Sequence, residues 1–271
     1  MAKRSKKIAA PYLVWMVVFT MLPLLLVIYF AFTTKDGRPT LSNLTGLGNY
    51  VSVFFLSLIL ALIATVICLV VAYPISFMLS RLRSGRQGIA LMLVMLPMWM
   101  NFLLRTYAWM SLLERNGLIN RLLGLIGLGP FEMINTAGAV VLGMVYNYLP
   151  YMILPLYTAM VKIDSSIIEA AEDLGAGLWS KLWRVLIPLS MPGIQTGITM
   201  VFVPSISTFI ISKMLGGGNF WLIGDLIESQ FLGNAYNYNL GSAMSLVLMV
   251  VVLLCMSVTG GFDSEEIEGV I

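Results

Sequence analysis

The sequence predicts an all-α membrane protein with six transmembrane helices and both termini in the cytoplasm. Three observations predict it. Of 271 residues, 59% are hydrophobic and 11% are charged, against about 25% charged in an ordinary soluble domain. The apolar residues fall in continuous runs near the roughly 20 residues a helix needs to cross a bilayer. Continuous runs favour helices over a barrel, whose strands alternate in blocks of about ten. Third, Lys and Arg collect on one set of boundaries between the runs.

The first span, Pro11 to Phe32, follows Lys3, Arg4, Lys6 and Lys7. A cleaved signal peptide starts similarly, but this run is long enough to span and lacks a small-x-small cleavage site near its end. It reads as a retained helix. The others are Phe54 to Leu79, Ile89 to Trp109, Ala137 to Met160, Ile187 to Ile211, and Gly241 to Val258. With the N-terminus inside, the inner boundaries hold its four basic residues, then Arg81, Arg83, Arg86, Lys162, Lys181 and Arg184. The outer ones hold Lys35, Arg38, Arg105, Arg115, Arg121 and Lys213. This bias sets the orientation, and six crossings return the C-terminus to the cytoplasm.

Two outer loops have content. Glu114 to Glu132 carries Leu118, Ile119, Leu122, Leu123, Leu125 and Ile126 among Gly and Asn, a short amphipathic helix for a membrane surface or a partner. Lys213 to Leu240 holds Gly216-Gly217-Gly218, read as a flexible turn, then Asp225 and Glu228.

Composition excludes much. Histidine is absent, and Cys68 and Cys255 both sit in apolar runs, so neither a zinc site nor a disulfide framework is expected. No cofactor is implied. The net charge of +3 gives no case for nucleic acid. No Walker A pattern occurs, nor a serine nucleophile elbow. A membrane enzyme is therefore a poor reading. A stand-alone secondary transporter or channel wants ionisable groups deep in its spans, and the first, second, fourth and sixth have none at their centres.

The charged island between the fourth and fifth spans is the strongest signal. Asp164, Ser165 and Ser166 are capping types at its start, and Ser166 and Glu169 have capping-box spacing. Ala170 and Ala171 allow a neighbour to approach closely. Glu169, Glu172 and Asp173, at i, i+3 and i+4, form one acidic face. Gly175 and Gly177 supply left-handed backbone to end that helix. A second piece puts Trp179, Leu182, Trp183 and Leu186 on one face, and Pro188 suits the first turn of the fifth span.

The run Glu169-Ala170-Ala171, then Gly175, then Ile187-Pro188 resembles the cytoplasmic loop of ABC importer permeases of the binding-protein-dependent type. The resemblance implies the type-1 (MetI-like) architecture over 11–260, with a coupling loop at 162–187. Residues 1–10 would be a cytoplasmic segment and 261–271 an acidic cytoplasmic tail. It also implies that Glu169, Ala170, Ala171, Asp173, Gly175 and Pro188 dock on a separate ATPase. The chain itself would not be a catalyst.

A second set narrows the branch. Pro97, Trp99, Asn101, Leu103, Arg105 and Tyr107 lead to Asn116-Gly117; Tyr146-Asn147-Tyr148-Leu149-Pro150 and Leu215-Gly216-Gly217-Gly218 follow. Together they resemble PotB-type permeases of spermidine/putrescine importers. The implied partners are a second permease (PotC-like), an ATP-binding subunit dimer (PotA-like), a substrate-binding protein (PotD-like) and membrane lipid. The implied location is the bacterial plasma membrane, multi-pass. Sulfate, iron and phosphonate permeases share the loop and stand as alternatives. A polyamine cation suits carboxylates and aromatic faces. The candidate pathway residues are accordingly Trp99, Asn101, Tyr107, Tyr146, Tyr148, Asp225 and Glu228. An aromatic belt at the interface is the competing account of the aromatics.

Overall fold

The computed structural model describes residues 11–233 and 236–258. The N-terminal basic residues and the acidic tail lie outside the described residues. Among the described residues all regular structure is helical, apart from one isolated bridge between Thr33 and Pro39.

Helix α1 (Pro11–Ala31) and helix α2 (Val51–Ser80) are long and apolar, as are α6 (Ala137–Val161), α8 (Leu178–Ile206) and α11 (Tyr238–Val258). Between α2 and α6 lie α3 (Ser84–Trp99), α4 (Phe102–Leu113) and α5 (Leu118–Leu125). Helix α7 (Ser165–Asp173) precedes α8, and α9 (Ile210–Gly216) and α10 (Ile223–Leu232) follow it. Among the described residues five helices are each long and apolar enough to cross a membrane, or six spans if the bent pair after α2 counts as one.

That pair corrects the third expected span. Ile89 to Trp109 is not one rod, because the chain turns by 86° between Trp99 and Phe102. Pro97 ends α3, Met100 and Asn101 take extended ψ, and the Asn101 side chain caps the new helix. The fifth span is also redrawn. Pro188 does not open it, since the helix already runs from Leu178. A wide π-type turn at Leu182–Leu186 comes just before the proline, and another at Val17–Met21 just before Pro23. A proline lacks the N–H for a regular turn and its ring crowds the carbonyl four residues back. One extra residue in the preceding turn absorbs both defects.

The core is built on α2, α6 and α8. On α2 the buried face is a small-residue stripe, with Ser57, Ala61, Ala64, Cys68, Ala72 and Ser76. Small residues let membrane helices approach until backbones touch. Here Cys68 Sγ donates to Val145 O (3.8 Å) and Ser76 Oγ to Ile153 O (3.1 Å). Both contacts have the same offset, so α2 and α6 run parallel. The bent pair between them must therefore carry the chain back to the end from which α2 starts. Helix α8 packs antiparallel to α6: a Cβ on Gly193 would lie 2.7 Å from Pro155 O, and one on Gly197 2.6 Å from Met152 Sδ.

Helix α1 stays outside this core and packs along α11. Only its last residue, Ala31, is buried. Its end is held by two side-chain amides. Asn239 Nδ2 donates to Phe30 O (3.1 Å) and Thr33 O (2.7 Å), and Asn43 Nδ2 to Ala31 O (3.2 Å) and Thr33 O (2.9 Å). The carbonyls orphaned at a helix end need such donors. Asn239→Ala is expected to cost about 1–3 kcal/mol in unpaired buried groups. It should loosen the α1–α11 junction, read as faster tryptic cleavage after Lys35; unchanged cleavage would count against the latch.

Candidate functional site

Two regions hold the expected site residues, at opposite ends of α6. The first is the polar hairpin. Asp164, not Ser166, caps α7: its Oδ1 accepts from Ser166 N at 3.0 Å. The expected capping box is replaced because Asp164 comes earlier in the chain and its carboxylate is the stronger acceptor. That bond from the Ser166 backbone N–H holds the Asp164 carboxyl below its ordinary range.

The far end of α7 closes as a Schellman motif. Gly175 has φ +78°, its N–H donates to Glu172 O (2.8 Å), and Ala176 N–H donates to Ala171 O (3.0 Å). Only Gly175 is left-handed. Gly177 has φ −66° and ψ 167°, extended backbone that begins α8. The two arms are joined by an ion pair between Lys181 and Glu172.

The exposed residues define what the hairpin offers. Glu169, Ala170 and Asp173 are exposed, and Ala171 is half-buried. At the tip Leu174 is 89% exposed, with Leu178, Trp179 and Trp183 also exposed. The second arm splits its expected face, since Leu186 is buried and Leu182 half-buried. Leu174 and Leu178 were not singled out from sequence. Their signal was present, as large apolar residues flanking the glycine of a charged island. Arg81 Nη1 donates to Ile163 O (3.3 Å), tying the end of α2 to the hairpin's root. The hairpin thus joins α6 to α8, the close-packed helix pair.

The second region holds the candidate pathway residues, which the structure divides. Trp99 is 74% exposed at the end of α3, and Tyr107 is exposed on α4. Asn101 Oδ1 accepts from Leu103 N (2.9 Å) and Leu104 N (3.4 Å), a capping role. Tyr146 packs edge-on to Trp109 with ring centroids 5.4 Å apart. Tyr148 OH donates to Pro204 O (3.4 Å). On the inner face of α4, Arg105 is 7% exposed; its guanidinium lies over the Phe102 ring, 5.9 Å from the centroid, and its Nε and Nη1 lack hydrogen-bond partners among the described residues.

Asp225 and Glu228 are not on an open loop. Asp225 is 4% exposed, and it accepts from Ser212 Oγ (2.8 Å) and Leu222 N (2.9 Å). Glu228 pairs with Lys213. The glycine run is also a built turn: Gly217 and Gly218 are left-handed, Asn135 N–H donates to Leu215 O (2.8 Å), and Asn219 Nδ2 donates to Asn135 O (3.0 Å). Asp225 thus pins α10 to α9.

Burial raises the Asp225 carboxyl, against the lowering effect of the Leu222 N–H and Ser212 bonds. Its unfolded value is about 3.9. Stability from this group is therefore fully present below that value and lost as pH rises through the folded one. Asp225→Asn keeps an acceptor for Leu222 N and is expected to remove that slope. Thermal unfolding of wild type and variant from pH 4 to 7 checks it; identical slopes would reject the assignment.

The pattern of the family described as "Binding-protein-dependent transport system inner membrane component" matches residues 1–263. The spermidine/putrescine transport system permease protein PotB of Haemophilus influenzae is 40% identical over 254 residues, covering 90% of this chain and 88% of that protein. The Escherichia coli protein of the same name is 38% identical, covering 90% and 92%. Among solved structures, a bacterial ABC transporter for the acidic polysaccharide alginate superposes with a TM-score of 0.75 at 17% identity, covering 96% of this chain and 95% of that one. A second alginate transporter structure, in complex with its periplasmic protein, gives 0.76 at 16% identity, covering 97% and 95%. These structural likenesses speak to the fold alone.

Proposed function

Because the chain belongs to the family of binding-protein-dependent transport system inner membrane components, we propose that it is the permease subunit of an ATP-driven spermidine/putrescine importer. The observation that carries this is the 40% identity, across 90% of the chain, to a permease named for that substrate. In this reading the bent pair α3–α4 is one crossing, giving six spans with both termini cytoplasmic. Support comes from the parallel course of α2 and α6 and from the basic residues near the hairpin end.

The chain forms half of a pathway with a PotC-like permease and takes substrate from a PotD-like binding protein. ATP is hydrolysed by a PotA-like pair, and the complex sits in the bacterial plasma membrane. The hairpin docks on one ATPase: Leu174, Leu178 and Trp179 supply apolar contact, and Glu169 and Asp173 the acidic edge. Ala170 and Ala171 permit close approach, Gly175 holds the turn, and Pro188 follows the wide turn within α8, between its hairpin arm and its long apolar part. Closure of the ATPase pair pushes the hairpin, and the α6–α8 pair carries the movement to the opposite end.

On the pathway, Trp99 and Tyr107 are exposed aromatic faces for a polyamine cation. Tyr146, packed on Trp109, and Tyr148, bonded to Pro204 O, add aromatic faces from α6, and Asn101 fixes the break between Trp99 and Tyr107. Glu228 is the more accessible carboxylate, and Asp225 acts by holding α10.

Radiolabelled spermidine uptake tests the proposal, in cells carrying the complete transport system with and without this chain, with sulfate and iron uptake as controls. Loss of spermidine uptake alone is expected. Intact spermidine uptake with loss of another solute would reassign the substrate within the same family.

A further inference from the structure

Helix α5 and the turn behind it hold none of the coupling or pathway residues named above, yet they form a cleft. It has a volume of about 280 Å³ and is lined by Arg115, Asn116, Asn120, Arg121, Gly124 and Gly129 among others. It lies at the end of the molecule away from the hairpin, directly after α4.

The walls are fixed by one buried side chain. Asn120 Nδ2 donates to Glu114 O (3.1 Å) and Phe131 O (2.9 Å), and its Oδ1 accepts from Phe131 N (2.9 Å). Arg121 Nε donates to Asn116 O (3.1 Å), which orients that guanidinium. Among the described residues neither Arg115 nor Arg121 has an ion-pair partner, although Glu114 and Glu132 are exposed nearby in the chain. A cleft with two uncompensated guanidinium groups selects an anion with several oxygens.

The neighbouring face of α5 says which source of anion fits. Leu118, Leu122 and Leu125 recur at i, i+4 and i+7, and all are exposed, Leu125 by 82%; Ile126 follows, also exposed. A basic edge beside an apolar stripe, at the end of a spanning segment, is the pattern of a helix lying in the bilayer interface. We propose that this cleft binds the phosphate of an anionic phospholipid headgroup, whose acyl chains lie along the Leu118–Leu122–Leu125 stripe. A bound lipid would anchor α5, and through it the α4 half of the broken span. The assignment does not depend on the transported substrate.

The test uses the assembled transporter in nanodiscs and in detergent. Thermal stabilisation by phosphatidylglycerol is compared with that by phosphatidylcholine and by inorganic phosphate. Phosphatidylglycerol alone is expected to stabilise the wild type. Arg115→Gln with Arg121→Gln should weaken that effect about thirtyfold in apparent affinity, from the usual worth of two basic residues at an anionic surface. Gly124→Leu provides a second variant that keeps both arginines: Gly124 lines the cleft and a Cβ there meets nothing within 4 Å, so a larger side chain is expected to take up cleft space. It should lose the effect too. Equal stabilisation by phosphatidylcholine, equal competition by inorganic phosphate, or an undiminished effect in both variants would overturn the proposal. Loss of binding-protein association with phosphatidylglycerol binding intact would overturn it in favour of a protein dock.

Discussion

Gly175→Pro is expected to abolish uptake while leaving the protein inserted at near-normal abundance. The native φ is +78°, and proline is locked near −65°. The substitution also deletes the N–H that reaches Glu172 O at 2.8 Å, one of the two bonds that close α7. A misplaced proline costs about 3 kcal/mol or more, which lowers the population of the native hairpin by more than about a hundredfold. A Cβ at Gly175 meets nothing within 4 Å, so the effect is one of backbone conformation. The series then has a fixed order. Gly175→Ala should cost only about 1–2 kcal/mol, the usual penalty for an L-residue in left-handed backbone. The assay is uptake, co-purification of the ATPase and membrane abundance together. Normal uptake by the proline variant would refute the docking role of the hairpin. Loss of abundance would instead show that the turn is needed for folding.

Gly193→Val is expected to be the most damaging single change to the helix pair behind the hairpin. A Cβ at Gly193 would lie 2.6 Å from Ala159 Cβ and 2.7 Å from Pro155 O. A carbonyl oxygen in a packed helix cannot turn aside, so α6 and α8 must separate. Overpacking of this kind costs about 1–3 kcal/mol, and the backbone obstacle puts this site near the top of that range. Gly197→Ala is the contrast. Its nearest obstacle is Met152 Sδ at 2.6 Å, the end of a flexible side chain that can re-pack. Thermal midpoints in detergent should therefore fall clearly for Gly193→Val and slightly for Gly197→Ala. Equal midpoints would mean that α6 and α8 are not held together at this crossing.

Much of this was legible in the sequence, because transfer into hydrocarbon is judged residue by residue. Runs such as Phe54 to Leu79 and Ala137 to Met160 match α2 and α6 closely, since a lipid-exposed backbone has few alternatives to helix. The hairpin was legible too. Its glycine and charge pattern are local features, and the motif that ends α7 is made from neighbours in the chain.

The misreadings were of two kinds. Local competition decided some: of the three capping types at the start of α7 Asp164 took the cap, in place of the Ser166–Glu169 box, and the wide turn at Leu182–Leu186 carried the helix through Pro188. Hydropathy could not show the break at Met100–Asn101, because both halves of that span are equally apolar and a bend leaves the run unbroken. Long-range packing decided the rest. Asp225 looked like a surface carboxylate in a glycine-rich loop, yet Ser212 and the Leu222 N–H draw it inside.

The sequence by itself determined the membrane class, the position of most helices and the hairpin's closing turn, since each depends on transfer energy or on residues within one turn of each other. Only the tertiary structure decided which faces meet and which polar groups are buried. It alone gave the parallel course of α2 and α6, the Asn239 and Asn43 latch on α1, the burial of Asp225 and Arg105, and the concave shape around Arg115 and Arg121. Those features depend on contacts between residues far apart in the chain, where the spacing of a sequence carries no distance.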